Sequence, residues 1–178
     1  MVTHVPSEAH GDERGALLNF IEAQRGAVRR SVLGLTEEQA ASRPSASELS
    51  LSGLLKHVAE TELGWLRLAQ QQPNERQRTE ETWADGFRLE RDETIQGVLA
   101  FWDGVAKETE ELLRTVPSLD DTFPLPDAPW YPKDARVSMR WLGMHLVEEI
   151  ARHAGHADII RESLDGKSAF DLVALERA

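Results

Sequence analysis

Four long segments of the chain carry apolar residues at helical spacing, and no alternating strand pattern lies between them. Apolar residues that recur at intervals of three and four form a stripe along one face of a helix. In the first segment this stripe includes Leu17, Phe20, Ile21 and Val28. The predicted helices cover residues 12–33, 50–72, 89–116 and 138–164. The pattern therefore predicts an all-α fold.

Stop signals separate the four helices and set their connections. Gly34 and Pro117 end the first and third helices, and Ser50 or Ser52 caps the second. The stretch DDTFPLPDAPWYPKDARV carries four prolines, which forbid a helix and favour an extended crossover. Residues 74–87 are too charged to pack by themselves, and SAFDLVALERA adds a short final segment. We predict a four-helix bundle with a long Pro-rich crossover before the last helix, as a single domain over residues 1–178 with residues 1–11 as a flexible tail.

Charge and cysteine content exclude several classes of function. The net charge is −11, and the arginines are interleaved with acids, so nucleic-acid binding is disfavoured. The chain has no cysteine, which excludes disulfides, iron–sulfur clusters and a cysteine nucleophile. Any thiol chemistry needs a thiol from outside the chain. No apolar run is long enough to span a bilayer and no secretory signal is visible, so we expect a cytoplasmic protein without a membrane partner.

The last predicted helix contains MHLVEEIARHAGHADIIRE, which holds three of the six histidines. On a helical wheel with His145 at zero, Glu149 falls at about 40° and His153 at about 80°, beside an apolar stripe centred near about 130°. His156 returns to about 20°. Glu149 and His153 are therefore predicted to lie closest to the core, whereas His145 and His156 lie near the rim.

An imidazole and a carboxylate four residues apart leave the same face of a helix and suit a divalent metal such as Zn²⁺, Ni²⁺ or Fe²⁺. Two ligands rarely hold such an ion, so a third must come from another helix. His57 is the other histidine that falls within a predicted helix, at the edge of the apolar stripe. The ordinary alternatives are a surface pair at Glu149 and His153 and a structural histidine at His57, and the spacing alone favours them.

Two stretches resemble the DinB-like superfamily, especially its actinobacterial branch related to mycothiol-dependent maleylpyruvate isomerases. They are LTEEQAASRPSASELSLSGLLKHVAETELGWLR and HLVEEIARHAGHADIIRESLDG. The resemblance covers nearly the whole chain and implies a four-helix bundle with one divalent metal. Its ligands fall on His57, Glu149 and His153, which matches the version with glutamate on the last helix. His156 stands where many relatives carry glutamine.

The resemblance also implies a chemistry. In the related enzymes a low-molecular-weight thiol, mycothiol or bacillithiol, coordinates the metal and attacks an electrophilic small molecule. Our leading hypothesis is therefore a metal-dependent transferase or isomerase that uses such a thiol. The alternative is a noncatalytic metal-binding or regulatory bundle, in which His156 closes the coordination sphere. A third interpretation, a DNA-binding protein, is opposed by the negative charge, and the oligomeric state stays open between monomer and homodimer.

Further residues near the predicted site have two interpretations each. Arg140 and Arg152 are candidates for holding a substrate carboxylate, although arginine on an outer helix face is most often solvated. His145 and His156 are candidates for proton transfer, with a solvated role favoured. Trp130 and Tyr131 in the crossover are candidates to cover the mouth of the site.

Overall fold

The computed structural model of the protein describes residue 5 and residues 11–177. Most of the predicted flexible tail, residues 1–11, lies outside the described residues. Within them the all-α prediction is confirmed, with one 3₁₀ helix at Trp83–Phe87 and two short strands, β1 (Thr122–Pro124) and β2 (Arg136–Ser138). The helices are α1 (Glu13–Ser31), α2 (Glu37–Ala41), α3 (Leu51–Gln70), α4 (Ile95–Thr115), α5 (Met139–Asp165) and α6 (Ala169–Glu176).

Each long helix begins at a residue whose side chain accepts a hydrogen bond from the first turn, which satisfies an otherwise free backbone N–H. Ser50 rather than Ser52 caps α3. The third predicted helix begins at Ile95, not at Leu89, because the cap is Thr94. The other caps are Asp12 for α1 and Ser138 for α5, and Gly166 ends α5 in the left-handed region at φ 76°.

The core lies where α1 packs along α5 and α3 packs along both α4 and α5. Ile21 and Leu54 are fully buried there. Burial of each such side chain stabilises the folded state by about 1.5–3 kcal/mol. Phe20 was predicted on the core face of α1, but it is 49% exposed. The prediction was wrong because the buried stripe of α1 is centred on Leu18, Ile21 and Val28, and residue 20 lies about 100° away from residue 21.

The two ends of the Pro-rich crossover, β1 and β2, pair as a short antiparallel ladder. Thr122 pairs with Ser138 and Pro124 pairs with Arg136. The extended backbone was predicted, but the pairing of its two ends was not. The ladder holds Ser138, the cap residue of α5, beside Thr122, and the first two backbone N–H groups of α5 donate to Asp121 and Leu119, so the start of the last helix is fixed.

The segment of residues 74–94 packs on α3 through ion pairs. Arg78 forms a bidentate pair with Glu60, at 2.7 and 2.9 Å. Lys56, which is only 1% exposed, lies 2.5 Å from Glu93. A side chain at position 53 would overlap the backbone carbonyl of Phe87, so only glycine permits this approach. The charged segment therefore packs by pairing with α3 rather than by burying apolar residues alone.

None of the helices among the described residues is long and apolar enough to cross a membrane.

Candidate metal centre

Three potential ligands converge between α3 and α5. His57 comes from α3, and Glu149 and His153 come from one face of α5, one turn apart. One ligand atom from each lies within 4.8 Å of the others. Oε1 of Glu149 lies 3.2 Å from Nε2 of His153 and 3.7 Å from Nε2 of His57. The packing of α3 against α5 thus brings His57 next to a pair of residues far from it in the chain.

The three side chains are sheltered but not sealed from solvent. Their exposed fractions are 12% for His57, 18% for Glu149 and 11% for His153. The ring of Phe87 stacks on His57 with centroids 4.2 Å apart, and Trp83 meets His57 edge-on at 6.3 Å. The rings of His57 and His153 are 4.7 Å apart. Aromatic rings therefore pack against His57 on one side of the cluster.

The electrostatics of the cluster suit a cation. Hydrogen bonds with His153 and then His57 lower the pKa of Glu149 well below its usual range, although burial acts in the opposite direction. The carboxylate is thus ionised over the whole physiological pH range. One carboxylate oxygen and two imidazole nitrogens form a donor set that borderline divalent metals accept. Because the set has three protein ligands, it leaves coordination positions for water or a substrate atom.

His156, the candidate for a fourth ligand, lies outside this group. Its ring contacts that of His153 edge-on, with centroids 5.5 Å apart, but it is not part of the convergent set found among the described residues. The Nδ1 atoms of His153 and His156 are both buried and have no hydrogen-bond partner within that part of the chain. The residues present therefore fit a three-ligand metal site with an open side.

His145 lies one turn from Glu149 but belongs to an aromatic cluster. Its ring stacks on Trp141 with centroids 4.8 Å apart, and the edge of Trp65 packs against it at 4.5 Å. Nδ1 of His145 also lies 3.5 Å from Glu148. His145 is thus held by packing rather than freely solvated, since its side chain is 19% exposed.

The two candidate arginines have partners of their own. Arg140 lies 2.5 Å from Glu13 and also bonds Asp120, which ties the start of α5 to the start of α1. Arg152 pairs with Glu148 on the same helix and is 60% exposed. Neither arginine contacts the three predicted ligands in the described structure.

A cleft beside His57 was not predicted. Its volume is about 200 Å³, and its far wall is formed by the segment that includes Asn74, Gln77 and Trp83. Trp130, predicted to cover the site, is 75% exposed, contacts Tyr131 and is not among the residues that line this cleft. Two aromatic residues, Trp83 and Phe87, in an otherwise charged stretch were the signal that this loop has a packing role.

A comparison with protein families shows which family the chain belongs to. Residues 16–166, a range that includes all three predicted ligands, match the family described as mycothiol-S-transferase. The chain belongs to this family. The resemblance to DinB-like proteins is thereby confirmed. No curated protein matches the chain.

Among solved structures, a conserved protein from Enterococcus faecalis has a similar fold, with a TM-score of 0.62 and 16% sequence identity. The similarity covers 87% of this chain and 98% of that chain. At this level of identity the likeness shows the fold alone.

Proposed function

We propose that this protein is a metal-dependent transferase that joins a low-molecular-weight thiol, mycothiol, to an electrophilic small molecule. The observation that carries the proposal is the convergence of His57, Glu149 and His153 within 4.8 Å, in a chain that matches the mycothiol-S-transferase family over residues 16–166. We assign these three residues as the ligands of one divalent ion such as Zn²⁺, Ni²⁺ or Fe²⁺. An isomerase that uses the same thiol activation is the other activity compatible with this site.

The residues of the chain divide the work of such a reaction. His57 and His153 supply neutral lone pairs, and Glu149 supplies the one negative charge. When bound, the ion stabilises the thiolate form of a coordinated thiol near neutral pH. Phe87 stacks on one face of the His57 ring and so holds that ring in place. The open side leaves room for the thiol sulfur.

The bond changes balance without a further reactant. The thiol proton leaves to solvent, and the sulfur electron pair forms a bond to the electrophilic carbon. The leaving group departs with the electron pair of its bond to that carbon. Because the chain has no cysteine, the sulfur has to come from the thiol cosubstrate.

The ligand assignment is tested with His57→Ala, using His145→Ala as the matched control because His145 lies one turn from Glu149 but outside the ligand set. Elemental analysis of the purified proteins gives the metal content, and circular dichroism gives the helix content. We expect His57→Ala to lose metal affinity and thiol transfer by more than about 100-fold with its helices intact, because a first ligand is removed. The His145→Ala protein should retain its metal.

Stoichiometric metal in His57→Ala would refute the ligand assignment. Metal binding with neither thiol consumption nor isomerisation, across mycothiol and a panel of electrophiles, would instead support the noncatalytic metal-binding bundle.

A further inference from the structure

The cleft beside His57 has a size and a lining that limit what it can hold. Its volume of about 200 Å³ lies between α3 and the segment of residues 74–87. At about 30 Å³ per water molecule, this is the space of roughly six or seven waters. This is the size range of a single six-membered sugar ring. His57 itself forms part of the wall, so the cleft opens directly onto the predicted metal ligand.

The charges around the cleft neutralise one another. Arg78 is paired with Glu60 in a bidentate contact, and its second amino group lies 3.8 Å from Glu90. Arg76 lies 3.6 Å from both Glu60 and Glu93. A guanidinium that already faces two carboxylates offers little net attraction to a carboxylate or phosphate ligand. The lining therefore favours a neutral polar ligand.

The uncharged polar groups of the cleft suit hydroxyls. Thr61, Asn74 and Gln77 contribute a hydroxyl and two amides, each of which offers donor and acceptor capacity. The Oδ1 atom of Asn74 accepts from the backbone N–H of Arg76, which fixes the orientation of this amide. The side-chain amide of Gln77 has no hydrogen bond to any other described residue. A sugar hydroxyl, which both donates and accepts, matches such groups.

The aromatic wall provides the second half of a carbohydrate site. Trp83 lines the cleft and is 59% exposed, an unusual exposure for so large an apolar side chain. The ring faces of tryptophan carry partial negative charge, and the C–H groups of a sugar ring carry partial positive charge, so the two stack favourably. Phe87 holds the adjacent wall against His57.

We propose that this cleft binds the glucosamine ring of the thiol cosubstrate, with Trp83 stacking on the ring and Gln77 binding its hydroxyls. This inference rests on the proposed function, because mycothiol carries its cysteine on an amide of glucosamine, which is linked in turn to inositol. The sulfur is separated from the sugar by roughly 6 Å when extended. A ring in a cleft that begins at His57 therefore leaves the sulfur within reach of the metal ligands, while the inositol faces solvent.

The test uses N-acetylglucosaminyl-inositol, which keeps the amide and both rings but has no sulfur and cannot engage a metal through a thiol. Its binding to the full-length protein, with and without a chelator, is measured by titration calorimetry or ligand-observed NMR. We expect binding in both conditions, a loss of at least ten-fold in Trp83→Ala and Gln77→Ala, and no change in Trp130→Ala. Trp130 is the matched control because it is an exposed tryptophan that does not line the cleft.

A kinetic comparison follows the same variants with mycothiol and with N-acetylcysteine. We expect Trp83→Ala to raise the KM for mycothiol at least ten-fold relative to that for N-acetylcysteine. Failure of the wild-type protein to bind the sulfur-free ligand would overturn the inference. So would a Trp83→Ala effect confined to the KM of the electrophile, which would assign the cleft to that substrate. Binding of the sulfur-free ligand in the cleft without thiol transfer would uphold the inference and refute the proposed transferase.

Discussion

Two polar clusters lie on different faces of α3, five residues apart, and they differ in how completely they are satisfied. In the first cluster Glu62 is fully buried and binds the guanidinium of Arg25, which is 3% exposed. The indole N–H of Trp102 donates to the same carboxylate at 2.8 Å. The second cluster joins His57 to α5, keeps 11–18% exposure and retains a buried ring nitrogen without a partner in the described structure.

The difference separates a structural cluster from a candidate site. Around Glu62 both carboxylate oxygens accept from Arg25 and one also accepts from Trp102, so the cluster fixes how α1, α3 and α4 pack. Around His57, potential metal-ligating atoms from three side chains lie within 4.8 Å of one another, and a cleft lies beside His57. On helix α3, positions 57 and 62 are separated by about 140° around the helix axis. Burial of charged residues therefore does not by itself indicate function; the candidate site is distinguished by converging ligand atoms with a cleft beside them.

The greatest loss of stability is expected from a substitution that breaks the pairing of Glu62 with Arg25. Glu62→Gln removes the buried countercharge of Arg25 and leaves it only the exposed carboxylate of Glu22. We expect a loss of about 3–5 kcal/mol in the free energy of unfolding. Urea unfolding of the wild-type and variant proteins measures this loss. The metal content of the folded variant should not change, because Glu62 is not a predicted ligand. A loss below about 1 kcal/mol would show that the cluster is not the structural clamp described above.

A smaller loss of stability is expected at low pH from the cluster of His57, Glu149 and His153. The pKa of Glu149 is lowered in the folded protein by its hydrogen bonds with His153 and His57. Its contribution to stability is therefore present above the unfolded pKa of about 4.3 and is lost as the pH falls below that value. In chelator, we expect the melting temperature of the wild type to fall between pH 5 and pH 3 by roughly 2–4 °C more than that of Glu149→Gln.

The Glu148→Gln variant is the control for this measurement, because Glu148 is on the same helix but is 54% exposed. An equal acid-induced loss in the wild type and Glu149→Gln would mean that the histidines do not stabilise the carboxylate.

The smallest effect is expected at Arg152, whose bond to Glu148 is a solvent-exposed pair within one helix. Such pairs contribute little because water screens them, so Arg152→Ala should change the free energy of unfolding by less than about 0.5 kcal/mol. Neither metal content nor thiol transfer should change. A ten-fold rise in the KM for an anionic electrophile in this variant would revive Arg152 as a substrate-binding residue.

Local signals explain why much of the bundle was predictable. Ser50 and Ser138 begin helices through contacts within a few residues, and both lie where the sequence indicates a helix start. Likewise, Glu149 and His153 share a face because four residues make about one turn. The sequence alone did not join His57 to them, since that contact depends on how α3 packs against α5; the resemblance to DinB-like proteins supplied it.

Long-range pairing explains what was missed. The start of α4 was placed too early at Leu89, because Leu89 is apolar and packs against the core although its backbone belongs to the preceding loop. The packing of residues 74–94 depends on pairs such as Lys56 with Glu93, which are 37 residues apart. A charged segment with such partners is indistinguishable in sequence from a solvated loop. The cleft beside His57 was therefore hidden as well.

The close approach at Gly53 has a consequence for how this chain can vary. The position has no functional group, yet it sets the height at which the carbonyl of Phe87 rests on α3 and hence the position of the ring that covers His57. Even alanine there would push the loop outward and widen the entrance to the ligand cluster. Substitution of Gly53 should therefore disturb the site, although Gly53 takes no part in its chemistry.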